Sequence, residues 1–489
     1  MAGSLPRDPA PWAVRRDRAL ANPRLRANIG RVARRLAGAR QQAYASYPAG
    51  RALRVAGRDA KRRAVAHLEP LLDQLRDQLS ANGARVIFAE GPKEVADYIV
   101  SLAARRGAQR VVKSKSMLTE ELDLNRRLAA AGLTVRETDL GEYIIQLLDE
   151  RPSHILAPAA HRNRQEIAAI FQDTADRAGV PGPTSDEVGP LAAFARARLR
   201  EEFLAADIGI TGANFLVAET GTVVLVTNEG NADMVASLPP VHVVVAGIDK
   251  VLDTWEDLAA VIQQPALSGV GQRLSAYTTL ISGPRAPGAE EGPEELHVLL
   301  VDNGRRPLLG GPYADVLTCI RCGACYNVCP VYRQVGGHAY GSTYAGPIGA
   351  VETPLLAGLN FLPELPKSLC TLCNACVDAC PMDIALPDHF ITLRRQQVDE
   401  RGEPSTTRLT YRTWGRLWSS PRQYQRFLAW ARRGQRFMMR QGRLVRAPGF
   451  LGGWFETRDM PPIAAETFHE WWARRASSPA LSRSDEAPS

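Results

Sequence analysis

Cys319-Ile320-Arg321-Cys322-Gly323-Ala324-Cys325-Tyr326-Asn327-Val328-Cys329-Pro330 is answered further along by Cys370-Thr371-Leu372-Cys373-Asn374-Ala375-Cys376-Val377-Asp378-Ala379-Cys380-Pro381. Both read C-x2-C-x2-C-x3-C-P, the run with which two-cluster ferredoxins hold [4Fe–4S] cubes. Three cysteines in one tight loop wrap three irons. The fourth lies a helical turn further on, points away, and reaches the other cube. The pairing is therefore expected to cross: Cys319, Cys322, Cys325 and Cys380 for cluster 1, and Cys370, Cys373, Cys376 and Cys329 for cluster 2. Each proline ends its loop and turns the chain away. Gly323, Ala324 and Ala375 are small enough to let backbone N–H groups approach the sulfides. Zinc also takes four thiolates, but the third cysteine and the closing proline have no role in a zinc ribbon.

These two runs use all eight cysteines of the chain. No thiol remains for a nucleophile or a redox disulfide, and a fully ligated cube offers no open iron. The chemistry predicted is single-electron transfer. No G-x-G-x-x-G opens a helix after a strand, so the two-electron centre is expected on another subunit.

Working outward, residues 306–398 form the ferredoxin-like region. The Gly-rich stretch Gly336–Pro347 between the runs reads as a loop packed over the clusters or as a docking surface, and His338 within it is a surplus ligand candidate. Upstream, residues 84–305 alternate short apolar runs with helical segments. Strands are predicted at 85–89, 111–112, 133–135 and 155–157, with helices at 92–105, 119–131 and 143–149 between and after them. This implies a mostly parallel sheet covered by helices. Phe215–Ala218 and Thr222–Val226 flank Glu219-Thr220-Gly221 as a hairpin, Val241–Ala246 reads as a buried strand, and Thr254 opens a helix reaching Gln264. Residues 1–83 read as an N-terminal helical arm and 399–475 as a basic extension. That extension holds Trp414, Trp418, Trp430, Trp454, Trp471 and Trp472. Residues 476–489 read as a disordered tail. The fold class is α/β: N-terminal helices, an α/β domain, a helical two-cluster domain and a helical C-terminal extension.

The net charge is +8, yet residues 1–60 carry +10 and residues 401–450 carry +11, leaving −13 on the rest. An acidic body with two basic arms is expected to meet an acidic partner or a membrane surface, or else to carry its arginines on solvated helix faces; nucleic acid is not expected. No export signal and no apolar run of spanning length is seen, which predicts a reducing, cytoplasmic setting.

Several segments carry a family resemblance: the paired runs, Gly346-Pro347-Ile348-Gly349-Ala350, Lys113-Ser114-Lys115-Ser116-Met117, Glu137-Thr138-Asp139-Leu140-Gly141-Glu142 and Ala218-Glu219-Thr220-Gly221-Thr222. Over roughly residues 20–475 the chain resembles lactate utilization protein B, the iron–sulfur subunit of a three-part bacterial L-lactate oxidation system. The resemblance implies two [4Fe–4S] clusters and electron relay during oxidation of L-lactate to pyruvate by a non-catalytic subunit. It also implies a partner with CCG modules, a second lactate utilization subunit, and an α/β domain similar to CoA transferases. Glycolate oxidase iron–sulfur subunits carry their CCG modules in the same chain, so this sequence departs from them.

In the α/β domain, Lys113, Ser114, Lys115 and Ser116 follow one predicted strand, and Glu137, Thr138 and Asp139 follow the next. His161 and Asn163 come after a third. Ligands of parallel sheets bind at such strand ends, and the lysines have the charge to hold a small carboxylate or a phosphate. Asn228-Glu229-Gly230-Asn231 is placed to complete the pocket, and Glu219 is a candidate nucleophile or base. The competing readings are an enzyme acting on an acyl or carboxylate substrate in this domain, and a cluster-based redox sensor.

Overall fold

The computed structural model describes residues 5, 8–402, 405–447, 452, 455 and 458–476. Trp454 and residues 477–489 of the expected tail lie outside them. The chain divides into two compact units, one up to Asp399 and one from Glu400.

The first unit is built on six parallel strands. β1 (Arg85–Ala89), β2 (Arg110–Lys113), β3 (Thr134–Glu137), β4 (Ile208–Thr211), β7 (Val241–Gly247) and β10 (Glu295–Val301) run in the order β1-β10-β7-β4-β2-β3. The register sets Val86 beside Val298, and Val298 beside Val244. β7 and all of β10 after Glu295 are buried, which explains their unbroken apolar runs. A smaller sheet, β8-β5-β6-β9, comprises β5 (Phe215–Val217), β6 (Thr222–Thr227), β8 (Val251–Leu252) and β9 (Tyr277–Ile281). β5 and β6 form the expected hairpin, with Gly221 at φ +63° in its turn.

Three local expectations fail, each for a visible reason. Residues 155–157 are not a strand: His154 Nδ1 accepts the backbone N–H groups of Leu156 (3.0 Å) and Ala157 (3.2 Å), so these amides are turned inward to a ring rather than to a neighbouring strand. The helix expected over 119–131 is two, Met117–Glu121 and Leu124–Ala130, broken where Asp123 takes φ +51°. The helix from Trp255 stops at Val261, and a second begins at Gln264 with Pro265 in its first turn.

The N-terminal helices are packed elements of the unit rather than a loose arm. Pro23–Ser46 lies against the short helices Ala324–Val328 and Tyr332–Val335, and Ala49–Ala66 crosses Trp255–Val261. Four of their arginines bond side chains of the cysteine region. Arg15 pairs with Glu364, both Arg54 and Arg58 with Asp383, and Arg26 donates to Gln334. Arg18, Arg24, Arg31, Arg34, Arg35 and Arg51 of the same segment are exposed.

In the second unit, helices Ser405–Trp418 and Pro421–Gly434 pack through their aromatic residues, with Trp414 stacked on Trp418 at 5.5 Å and Trp418 against Phe427 at 5.3 Å. A short hairpin, Met439–Arg440 with Arg443–Leu444, and the helix Phe468–Ala476 follow. No helix among the described residues is long and apolar enough to cross a membrane.

Candidate functional site

The two cysteine loops share one backbone design. Arg321 and Leu372 take φ of +59° and +56°, and Gly323 and Asn374 take +69° and +62°, at matching positions of the two runs. Alternating left- and right-handed residues turn successive N–H groups to one side and make an anion-binding nest. A five-residue helix follows in each, Ala324–Val328 and Ala375–Ala379, and Cys329 and Cys380 leave those helices with the same φ and ψ, −72° and 120°. The two short helices pack on each other.

Cys319, Cys322, Cys325 and Cys380 line one enclosed cavity with Ile155, Ile320, Ile348, Met382, Ile384 and Leu386. Among the described residues, no three His, Cys, Asp or Glu side chains are gathered tightly enough for a single ion; these four thiols stand around a space instead. Cys370, Cys329 and Cys373 are the thiols whose charge acts on Cys376. Burial, reinforced by neighbouring thiols, pushes Cys322 and Cys376 up to about 12; burial also raises Cys380, to about 11. Buried thiols so raised do not ionise together at neutral pH without a cationic group to bind. Backbone N–H groups stand ready for their sulfurs: Tyr332 on Cys329 at 3.5 Å, Leu372 on Cys370 at 3.3 Å, Ile348 on Cys325, and Met382 and Ile384 on Cys380. Ile348 sits in the first turn of the helix Gly346–Ala357, whose positive end is thus turned on Cys325. Thiol cages with inward N–H donors fit [4Fe–4S] cubes.

The surroundings of the two cages differ. Beside the first stand Arg54, whose Nη2 donates to the Cys380 carbonyl at 2.6 Å, and Lys250, whose Nζ donates to the Cys319 carbonyl at 3.5 Å. Arg321 forms a bidentate pair with buried Glu352 and lies 4.4 Å from the centre of the Tyr344 ring. The second cage has Arg394, which donates to the Cys370 carbonyl at 3.0 Å, and it opens to solvent at Thr371, Leu372, Cys373 and Asn374. The stretch Gly336–Pro347 packs inward with Tyr340 and Tyr344 buried. His338 donates from Nε2 to the Arg151 carbonyl at 2.6 Å and lies edge-on to His161.

A second cavity, of about 300 Å³, opens at the carboxyl ends of β2, β3, β4 and β7. Ser114, Lys115, Ser116, Asp139 and Asn228 line it, as does Glu229. Its opposite wall is the first cysteine loop, through Ile320, Arg321 and Cys322. Lys113 and Glu137 are not in this lining. Lys113 Nζ meets Glu137 Oε1 at 2.7 Å with both side chains buried, and Asn125 holds the same carboxylate. Burial raises the Glu137 carboxyl, and Lys113 and Asn125 act against that rise. Glu219 lies apart from the cavity on its hairpin turn and accepts the Trp255 N–H at 3.1 Å, capping that helix. His161 bonds Ser153 and Glu150, and Asn163 caps the helix Arg164–Ala178. His242 is buried against Thr211 at 2.8 Å.

Sequence reading missed the charged floor of this cavity. Arg305 is buried and donates to both oxygens of Glu121 (2.8 Å each) and to Asp249 (2.7 Å); Asn303 and Tyr344 also donate to Glu121. Lys250 pairs with Asp249 at 3.1 Å, and Lys61 caps the Asp249 carbonyl. Burial would raise both carboxyls, but Arg305 with its partners holds Glu121 below the usual range, and Lys250, Arg305 and Arg321 do the same for Asp249. These residues are scattered along the chain without a local motif, so only the fold brings them together.

Family models match along the chain: the LUD domain over residues 72–301, a 4Fe-4S dicluster domain over 315–384, and the C-terminal part of lactate utilisation protein B over 395–477. Lactate utilization protein B of Oceanobacillus iheyensis is 42% identical over 86% of this chain and 87% of its own. The protein of that name from Shouchella clausii is 41% identical over 95% and 97%, and that from Geobacillus kaustophilus 42% identical over 85% and 86%. A solved DUF162 family protein from Deinococcus radiodurans aligns with 48% of this chain and 98% of its own at 16% identity and a TM-score of 0.28. With identity above 40% sustained over nearly the whole length and all three of its regions matched in order, the chain belongs to the lactate utilization protein B family.

Proposed function

We propose that this chain is the electron-transfer subunit of a complex that oxidises L-lactate to pyruvate. In this reading Cys319, Cys322, Cys325 and Cys380 hold one [4Fe–4S] cluster, and Cys370, Cys373, Cys376 and Cys329 hold the other. When bound, the clusters supply one-electron storage at two neighbouring points. The observation that carries the reading is the pair of matching loops, one facing the sheet-edge cavity through Cys322 and the other facing solvent through Cys373. The protein groups have separate tasks. The two nests and the helix at Ile348 direct N–H groups at the thiolates, Lys250, Arg54 and Arg321 offset negative charge at the inner site, and the exposed Thr371–Asn374 edge leaves the outer site within reach of a partner. The partners are a CCG-module protein and a second lactate utilization subunit, and the setting is cytoplasmic.

The test is turnover. The anaerobically purified chain is expected to give none with L-lactate and an artificial acceptor. Adding both partner proteins is expected to give turnover, which Cys373→Ser removes. Turnover by the chain alone would overturn the proposal.

A further inference from the structure

We propose that the outer edge of β9 pairs antiparallel with the same strand of a second copy of this chain, joining two four-stranded sheets into one continuous sheet in a two-fold symmetric dimer. This joint does not depend on the function proposed above.

β9 is the last strand of its sheet, and the hydrogen bonds of β6 show what it offers at that edge. Val226 donates its N–H to Oδ1 of Asn214, the residue before β5, at 2.8 Å, and the Val224 carbonyl accepts the Asn214 N–H at 3.0 Å. Both residues of β6 therefore turn their backbone groups to the β5 side. In an antiparallel ladder, residues directly opposite either bond each other or both point away. Thr278 is opposite Val226 and Leu280 is opposite Val224, so the N–H and C=O of Thr278 and Leu280 point out of the free edge. No backbone or side-chain group among the described residues bonds them there.

Other sheet edges of the same unit are closed. At β3, Gln146 donates to the Val135 carbonyl at 2.9 Å and accepts the Glu137 N–H at 3.1 Å. At β8, Lys61 Nζ donates to the Val251 carbonyl at 3.4 Å. β9 has no such cover, and Tyr277-Thr278-Thr279-Leu280-Ile281 contains no charge and no proline, the devices by which monomers protect an edge. Tyr277 and Leu280 are 45% and 49% exposed, on opposite faces of the strand. The charges around it are engaged elsewhere: Asp233 accepts the Thr279 hydroxyl, Arg273 lies over the Tyr47 ring at 4.8 Å, and Arg285 pairs with Glu294 at 3.1 Å.

A second copy suits this edge because the edge complements itself. With a two-fold axis through Thr279, Thr278 of each copy stands opposite Leu280 of the other. Both residues of such a pair point outward, so each pair exchanges two hydrogen bonds and the joint has four. Tyr277 then lies across from Ile281 of the other copy on one face, where aromatic and β-branched side chains pack well. An uncharged strand calls for neither an acidic nor a basic partner, and a two-fold axis uses the same surface twice.

The experiment is analytical sedimentation of the anaerobic, cluster-loaded full chain over a series of concentrations. A species of twice the chain's mass is expected. Thr278→Pro removes an outward N–H without touching the ladder to β6. It should raise the dissociation constant at least about thirtyfold, because two hydrogen bonds are lost per dimer. Thr278→Val keeps the N–H and should keep the dimer. Leu280→Lys leaves the backbone whole, sets a charge on the joint and should also dissociate it. Iron content and circular dichroism report folding, and if Thr278→Pro fails to fold, Leu280→Lys decides. The mass of one chain at every concentration would overturn the proposal. So would a dimer that both substitutions leave intact, or a chain that gains mass only when another protein is added.

Discussion

Replacing Arg321 with methionine probes the join between the cysteine loop and the helix that covers it. Arg321 and Glu352 form a bidentate pair with side chains 12% and 3% exposed, and the guanidinium also rests on Tyr344. Methionine keeps most of the volume and removes the charge, leaving a carboxylate in the interior with no cation. Breaking such a pair from one side costs about 3–5 kcal/mol. The unit up to Asp399 unfolds with an entropy on the order of 0.8 kcal/mol/K, so a loss of about 4 kcal/mol lowers its melting temperature by roughly 5 °C. Arg321→Met with Glu352→Gln removes both charges and should return most of that, leaving a deficit of about 1 kcal/mol. The assay is anaerobic melting of the wild type, both single variants and the double variant. A single variant melting within about 1 °C of wild type, or a double variant no more stable than Arg321→Met, would mean that the pair holds no buried charge in place.

Three further outcomes are expected. A Cβ at Gly269 would lie 2.6 Å from the Cys322 carbonyl. Gly269→Val should therefore displace the first loop and lower iron content while the second loop keeps its cluster, as iron analysis and paramagnetic resonance would show. His154 is buried and neutral, with its pKa lowered to about 4 by burial, and its Nε2 bonds Asn327 at 3.0 Å. The unfolded chain binds the proton near pH 6.5, so this histidine makes stability fall as pH drops from about 6.5 to about 4, by about 3 kcal/mol. His154→Gln should flatten that part of a stability profile, and an unchanged slope would contradict it. The exposed Leu372–Asn374 edge should let ferricyanide attack the second cluster first, so that Cys370 and Cys373 become alkylable before Cys319 and Cys322.

The sequence carried the fold unevenly. The cysteine runs were legible because a cube dictates spacing, and matching spacing gave matching backbone, down to left-handed Arg321 and Leu372. Strands β1, β2 and β7 were legible as apolar runs. The place of β10 was not: it inserts between β1 and β7 from the far end of the domain, and nothing local in Glu295–Val301 encodes its neighbours. Lys113 and Lys115 looked alike in sequence, yet the first closes β2 in a buried pair with Glu137, while the second lies past the strand end in the loop that lines the cavity. The Arg305–Glu121–Asp249 network was invisible because its members are far apart in the chain. The N-terminal arginines read alike as a basic arm, and composition gave no hint that Glu364 would receive Arg15, or Asp383 both Arg54 and Arg58.

Electron relay between the two sites requires thiols from both runs to meet at each cluster, and alkylation mapping of Cys380→Ser reads this directly. The anaerobic variant is treated with iodoacetamide under native conditions, and its peptides are weighed. Cys319, Cys322 and Cys325 should be labelled, Cys329, Cys370, Cys373 and Cys376 protected, and iron should fall from about eight to about four per chain. Labelling of Cys370, Cys373 and Cys376 with the first three still protected would mean that each run closes on itself, and the path from cavity to surface drawn here would be wrong.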